Sequence, residues 1–164
     1  MGLKQRLQRQ LAASRKLSEG LLSSFESPEQ WTHQICPNAN HALWFVGHMA
    51  TIDNFFISLI DKVRVRDEPG YRDKFGMGSH PSSSPGDYPA PMQVLDYMRD
   101  RRQELLSVLE TLSDEDLAKS TPPGSPDFLP DYASVFETAI WHEGLHSGQV
   151  SMVRKSLGMP PLMG

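Results

Sequence analysis

Trp141-His142-Glu143-Gly144-Leu145-His146-Ser147-Gly148-Gln149 lies inside a longer segment, Asp131 to Gly158, that keeps a helical period. Val135, Ala139, Val150, Val153 and Leu157 recur at helical spacing, and His142 and His146 interrupt that apolar stripe. Positions i and i+4 stack on one face of a helix, so both imidazoles can address a single ion. Imidazoles on a core-facing stripe cost free energy unless their nitrogens find partners. A lone histidine would be read as a satisfied core residue. An i,i+4 pair favours a metal.

Working outward, the chain divides into four long helical segments joined by irregular ones. The first covers about residues 3–25, with leucines at 3, 7, 11, 17 and 21 as its apolar stripe. Lys4, Arg6, Arg9, Arg15 and Lys16 read as its solvated basic face rather than a nucleic-acid or membrane surface. The second begins near Asn38 or Asn40, either of which can cap it, and runs to about Val63. Its inward face is Trp44, Phe45, His48, Ile52, Phe55, Phe56 and Leu59. Between Arg64 and Pro91, glycines and prolines break any period. The third segment starts near Pro91 and carries Met92, Leu95, Met98, Leu105, Leu109 and Leu112. Ser113 to Asp116 resembles a short helix start, and Thr121 to Pro130 is a proline-rich loop. The fourth segment begins near Asp131 and stops at Gly158, before Pro160-Pro161. With no period-2 run and no internal repeat, the expected fold is all-α: a four-helix bundle with a long connection between helices 2 and 3. Residues 1–164 are expected to form a single domain.

Composition narrows the function classes. A net charge of -4 and a pI near 5.8 supply no basic field for nucleic acid, so no nucleic-acid partner is expected. Cys36 is the only cysteine, which rules out an internal disulfide and suits a reducing compartment. No run of about 18 apolar residues and no signal peptide is apparent, so a soluble, cytoplasmic protein without a membrane partner is expected.

Helix bundles build cofactor sites from inward side chains on facing helices, which directs the search for a third ligand. His48 repeats the anomaly of the fourth helix, lying mid-helix between Phe45 and Ile52. His41 falls on the same face, nearer the helix start, where solvent can satisfy it. His33 and His80 fall in loops. Counted from Asn38 and Asp131, His48 and His142 each lie about 15 Å into their helices at 1.5 Å per residue. Three histidines on two helices can form a site with open positions, as a reactive metal requires. His142-Glu143-x-x-His146 also matches the zinc-protease pattern. Only eighteen residues follow His146, however, and none is His, Asp or Glu to serve as a downstream ligand.

Trp44-x-x-Gly47-His48, with His142-x-x-x-His146-x-x-Gln149 near the C-terminus, resembles the DinB-like superfamily of metal-dependent enzymes. The chain length, the helical layout and the long link between helices 2 and 3 fit that resemblance, which covers nearly the whole chain. It implies a divalent ion, zinc or nickel most often, on residues matching His48, His142 and His146. It also implies homodimers and, among characterised relatives, thiol-dependent S-transferases and a thiol-dependent isomerase acting on small molecules.

The chemistry follows from charge. A divalent ion on three neutral ligands lowers the pKa of a bound water or thiol. Glu143 is the candidate base or orienting group, and Gln149, one turn beyond His146, the candidate hydrogen-bonding group. Trp44 can wall the pocket or simply belong to the core. The expected function is a metal-dependent transferase, hydrolase or isomerase, with a low-molecular-weight thiol as a possible co-substrate. The alternative is a non-enzymatic metal- or ligand-binding bundle. Arg64–Pro91 and Ser120–Pro130 carry Tyr71, Phe75, Met77, Tyr88, Phe128 and Leu129, and at least one of these segments is expected to lie over the metal site.

Overall fold

A computed structural model describes residues 2–162. The protein is all-helical: α1 (Leu3–Leu22), α2 (Pro28–Trp31), α3 (Ala42–Ile60), α4 (Tyr71–Phe75), α5 (Pro91–Thr111) and α6 (Tyr132–Ser156), of which four are long. Short 3-10 turns at Lys62–Arg64, Pro85–Asp87 and Asp116–Ala118 punctuate the connections. Among the described residues the only β-pairing is an isolated bridge between Ser120 and Asp131.

The helix boundaries follow from local chemistry. Asp131 caps α6 by accepting the Ser134 N–H at 2.8 Å, while Ser134 Oγ accepts the Asp131 N–H. At the other end Gly158 takes φ 71°, the left-handed conformation that closes a helix at least cost to glycine. Pro91 occupies the first position of α5, where its missing N–H has no intrahelical role. α1 ends at Leu22, three residues earlier than its pattern suggests. The chain then turns through buried Phe25 into α2, whose capping box is Ser27 and Gln30. Neither Asn38 nor Asn40 caps α3. His41 does, its Nδ1 accepting the Trp44 N–H at 3.0 Å.

α3 packs against α5 and α6, and α1 packs against α6 and α5. The core falls into two apolar clusters. One gathers Leu21, Leu22, Trp44, Phe45, Met49, Tyr71, Phe75, Val94, Met98, Val150 and Val153. The other gathers Leu7, Leu11, Phe56, Ile57, Leu105, Leu109, Leu129, Val135 and Phe136. Each cluster takes one end of every long helix. The N-terminal halves of α3 and α5 share the first cluster with the C-terminal halves of α1 and α6, so α3 runs antiparallel to α6 and parallel to α5. The chain must therefore travel back along the molecule between Ile60 and Pro91, and this is why that connection is long.

A layer of buried charge separates the two clusters, with one residue from each long helix. Arg15 Nε meets Glu143 Oε1 at 2.7 Å, and Arg15 Nη2 meets Asp53 at 3.0 Å. Arg102 reaches Asp53 through Nε at 2.9 Å and Glu143 Oε2 through Nη1 at 2.7 Å. Ser18 Oγ donates to Glu143 at 2.6 Å, and the Met98 carbonyl accepts from Arg15 at 2.8 Å. Two guanidinium groups and two carboxylates thus neutralise one another inside the protein, as buried ions must.

Several expectations need correction. Arg15 does not belong to a solvated basic face; it is only 6% exposed, whereas Leu3 and Leu17 of the supposed stripe are 37% and 41% exposed. Phe55, placed on the inward face of α3, is 36% exposed. His41 is not satisfied by solvent but buried, and its Nε2 has no hydrogen-bond partner among the described residues. α3 itself is long and apolar enough to cross a membrane by length and composition, with mean hydropathy 1.4, contrary to the expectation that the chain has no such run. Two-thirds of that span (67%) is buried within the protein, so its apolar surface is accounted for by the core.

Candidate metal centre

The three histidines singled out in the sequence come together. His48 Nε2 lies 3.3 Å from His142 Nε2, and His146 Nε2 lies 3.1 Å from the same atom. One nitrogen from each ring falls within 4.8 Å of the others. Equal depth from two N-termini does not bring them together, because α3 and α6 are antiparallel. Side-by-side packing of α3 and α6 does.

The surroundings of each ring decide what it can bind. His48 Nδ1 is 2.7 Å from the Phe75 carbonyl oxygen, and His146 Nδ1 is 2.8 Å from Gln149 Oε1. Both neighbours are acceptors, so both Nδ1 atoms carry the proton and donate it. Each Nε2 is then a lone pair aimed at the common point, the tautomer a metal ligand requires. Burial holds His48 down to about 3, reinforced by His146 and His142. It holds His142 down to about 4, with His146 adding to the effect, and it lowers His146 as well. The rings are therefore neutral at neutral pH. Two lone pairs held in this way, with His142 Nε2 within reach of both, form a neutral cluster that fits a divalent cation.

The tryptophan-glycine-histidine pattern of α3 now has a physical account. Trp44 stacks on the His48 ring, with centroids 4.3 Å apart and planes 15° from parallel, and its Nε1–H donates to Ser79 Oγ at 2.8 Å. Gly47 makes room for Phe75, since a Cβ there would lie 2.2 Å from the Phe75 ring. Phe75 can thereby lie across α3 and offer its carbonyl to His48. Trp44 holds the ring flat, Gly47 admits its orienting residue, and His48 supplies the nitrogen.

The other expected participants have different surroundings. Glu143 is fully buried, and both its carboxylate oxygens are engaged by Arg15, Ser18 and Arg102. It belongs to the ionic layer, one residue along α6 from His142. Gln149 Oε1 accepts from His146 Nδ1 and, at 3.0 Å, from Asn40 Nδ2, so it orients a histidine and ties α6 to the approach to α3. Of the two long loops, the Arg64–Pro91 segment touches the centre through Phe75 and Ser79. Ser120–Pro130 lies at the other end: Leu129 joins the second cluster, and Pro122 to Pro126 line a cleft with Phe55, Leu59 and Lys62.

Sequence reasoning missed Asn40 and the Phe75 carbonyl, and it missed Arg15, Asp53 and Arg102 beneath the site. A backbone acceptor leaves no trace in side-chain patterns. The three charged residues did leave one, since each interrupts an apolar helical stripe just as the histidines do.

An all-helical protein with three converging imidazoles defines the class. The family model of the DinB superfamily matches residues 10–150, and the chain belongs to that superfamily. A search of curated proteins found no match.

Proposed function

We propose that the four long helices form a four-helix bundle, with Lys62–Ala90 as its crossover, and that the bundle holds one divalent ion on His48, His142 and His146. The convergence of three Nε2 atoms, two of them held as lone pairs by acceptors behind their rings, carries this proposal. No fourth His, Cys, Asp or Glu among the described residues joins the group, so coordination positions stay open to water or substrate. When bound, the ion supplies the acidity that turns a coordinated water or thiol into a nucleophile near neutral pH. The chain's own residues prepare for that. Phe75 and Gln149 fix two rings, Trp44 covers one flank and keeps water from it, and burial keeps the rings unprotonated. The activity we assign is metal-dependent transfer of a low-molecular-weight thiol to an electrophilic small molecule, or a related hydrolysis or isomerisation. Zinc and nickel both suit an all-imidazole ligand set.

The test is to load the protein with Zn²⁺ or Ni²⁺ and follow conjugation of glutathione, cysteine or coenzyme A to 1-chloro-2,4-dinitrobenzene. A rate that requires both metal and His142 supports the assignment. Metal binding with no such rate for any of these thiols, nor hydrolysis of a model ester, favours a non-enzymatic metal-binding protein. The partner we propose is a second copy of the chain, seated on the outer face of α6, where Trp141, Leu145 and Met152 are 64%, 49% and 53% exposed at helical spacing. Sedimentation equilibrium checks this, and a monomer at micromolar concentration contradicts it.

A further inference from the structure

The buried charge layer and the histidine centre share two helices. Glu143 follows His142 directly on α6, and Asp53 follows His48 by five residues on α3. The layer is closed in on every side, since Arg15, Asp53, Arg102 and Glu143 are each at most 6% exposed. Its contacts are satisfied in one arrangement only. Sliding α6 by one turn, about 5.4 Å, would bring Ala139 or Ser147 to the two guanidinium groups in place of Glu143. Sliding α3 by a turn would bring Met49 or Ile57 in place of Asp53. Either slip leaves two buried guanidinium groups facing a single carboxylate. The apolar clusters above and below are far more tolerant, because one aliphatic side chain substitutes for another at small cost. Buried ion pairs add little net stability over apolar residues of like volume, but they penalise every arrangement that separates them.

We propose that Arg15, Asp53, Arg102 and Glu143 are positioning residues for the histidine centre. They lock the axial register of α6 against α3 at the one setting where His142 and His146 meet His48. The inference rests on the metal-site reading for its ligand but not for its geometry. A one-turn slip would part the rings whether or not an ion joins them.

The experiment replaces the whole layer by apolar residues of similar size: Arg15→Met, Asp53→Leu, Arg102→Met and Glu143→Leu. Two quantities are read. One is the nuclear Overhauser contact between ring protons of His48 and those of His142 and His146 in metal-free protein; the other is Co²⁺ affinity and the ligand-field spectrum. The inference predicts a helical, folded variant in which the ring contacts vanish and Co²⁺ binds at least tenfold more weakly. A folded variant that keeps the contacts and binds Co²⁺ within twofold of the parent overturns it. Should the quadruple variant lose its helical circular dichroism, Glu143→Asp carries the test. It keeps the charge but shortens the arm by one methylene, and it is expected to weaken Co²⁺ at least threefold and alter its spectrum at unchanged helicity. Unchanged affinity and spectrum in Glu143→Asp overturn the inference. A parent protein that shows the ring contacts but takes up no Co²⁺ sinks the metal reading instead, and the contacts in the variants then decide the register.

Discussion

Gly47 shows how a single missing side chain serves the centre. Its place under Phe75 lets the backbone of one loop reach His48, and any Cβ would meet the ring at 2.2 Å. Gly47→Ala is expected to displace Phe75, cost about 1–3 kcal/mol as an overpacked core site, and weaken metal binding by freeing the His48 ring. Thermal melting and a metal titration on the same sample check both effects. His41 makes a different case. Its Nδ1 caps α3 while burial holds it down to about 4 from 6.5. The folded state thus resists a proton that the unfolded chain accepts. Stability is complete above about pH 6.5 and lost as pH falls toward 4, by about 2 kcal/mol at pH 5 from this group alone. His41→Asn keeps a capping acceptor and removes the titration, so its loss of stability between pH 7 and 5 should be smaller than the parent's. An identical pH profile in urea denaturation would contradict this. His48, His142 and His146 could be picked out in the sequence because imidazoles stand out on apolar stripes. The groups behind them could not, because a carbonyl oxygen such as that of Phe75 belongs to every residue alike.

Among the elements, α6 carries most of the information and also the clearest misreading. Its period, cap and stop are all visible in the chain: Asp131 opens it and Gly158 closes it. Its core face, however, runs through Glu143 and His146 rather than through both histidines, and His142 sits at the edge with one side toward solvent. The misassignment has a physical cause. A carboxylate on an apolar stripe looks like a surface residue until the guanidinium groups of Arg15 and Arg102 are seen opposite it, and those come from helices far away in sequence. The same holds for Arg15 of α1, whose partners Asp53 and Glu143 lie on other helices. α2 and α4 leave no period in the sequence, because helices of about one turn have too few residues for one to register. Asp131→Ala removes the acceptor for the Ser134 N–H and should lower stability by about 1 kcal/mol. It lies at the end of α6 that faces the second apolar cluster, away from the histidines, so metal affinity should not change. A drop in affinity that matches the drop in stability would mean that the two ends of α6 are coupled more tightly than the packing implies.

At the scale of the whole molecule, the arrangement is two apolar clusters, an ionic layer between them, and a histidine centre beside the first cluster. The clusters draw on every long helix and contain no metal ligand, so the fold should not depend on an ion. Chelation is therefore expected to lower the melting temperature while leaving the helical circular dichroism largely intact; complete unfolding would place the centre with structural zinc sites. The antiparallel course of α3 and α6 was not legible in the chain, since helix direction follows from how the connections run rather than from any one helix's pattern. Whether His48, His142 and His146 together hold one divalent ion is decided by a calorimetric Zn²⁺ titration of the parent beside the His48→Ala, His142→Ala double variant. The expected result is a stoichiometry of about one ion per chain for the parent, with His80→Ala unchanged, and loss of binding in the double variant. Full Zn²⁺ binding by the double variant would contradict it.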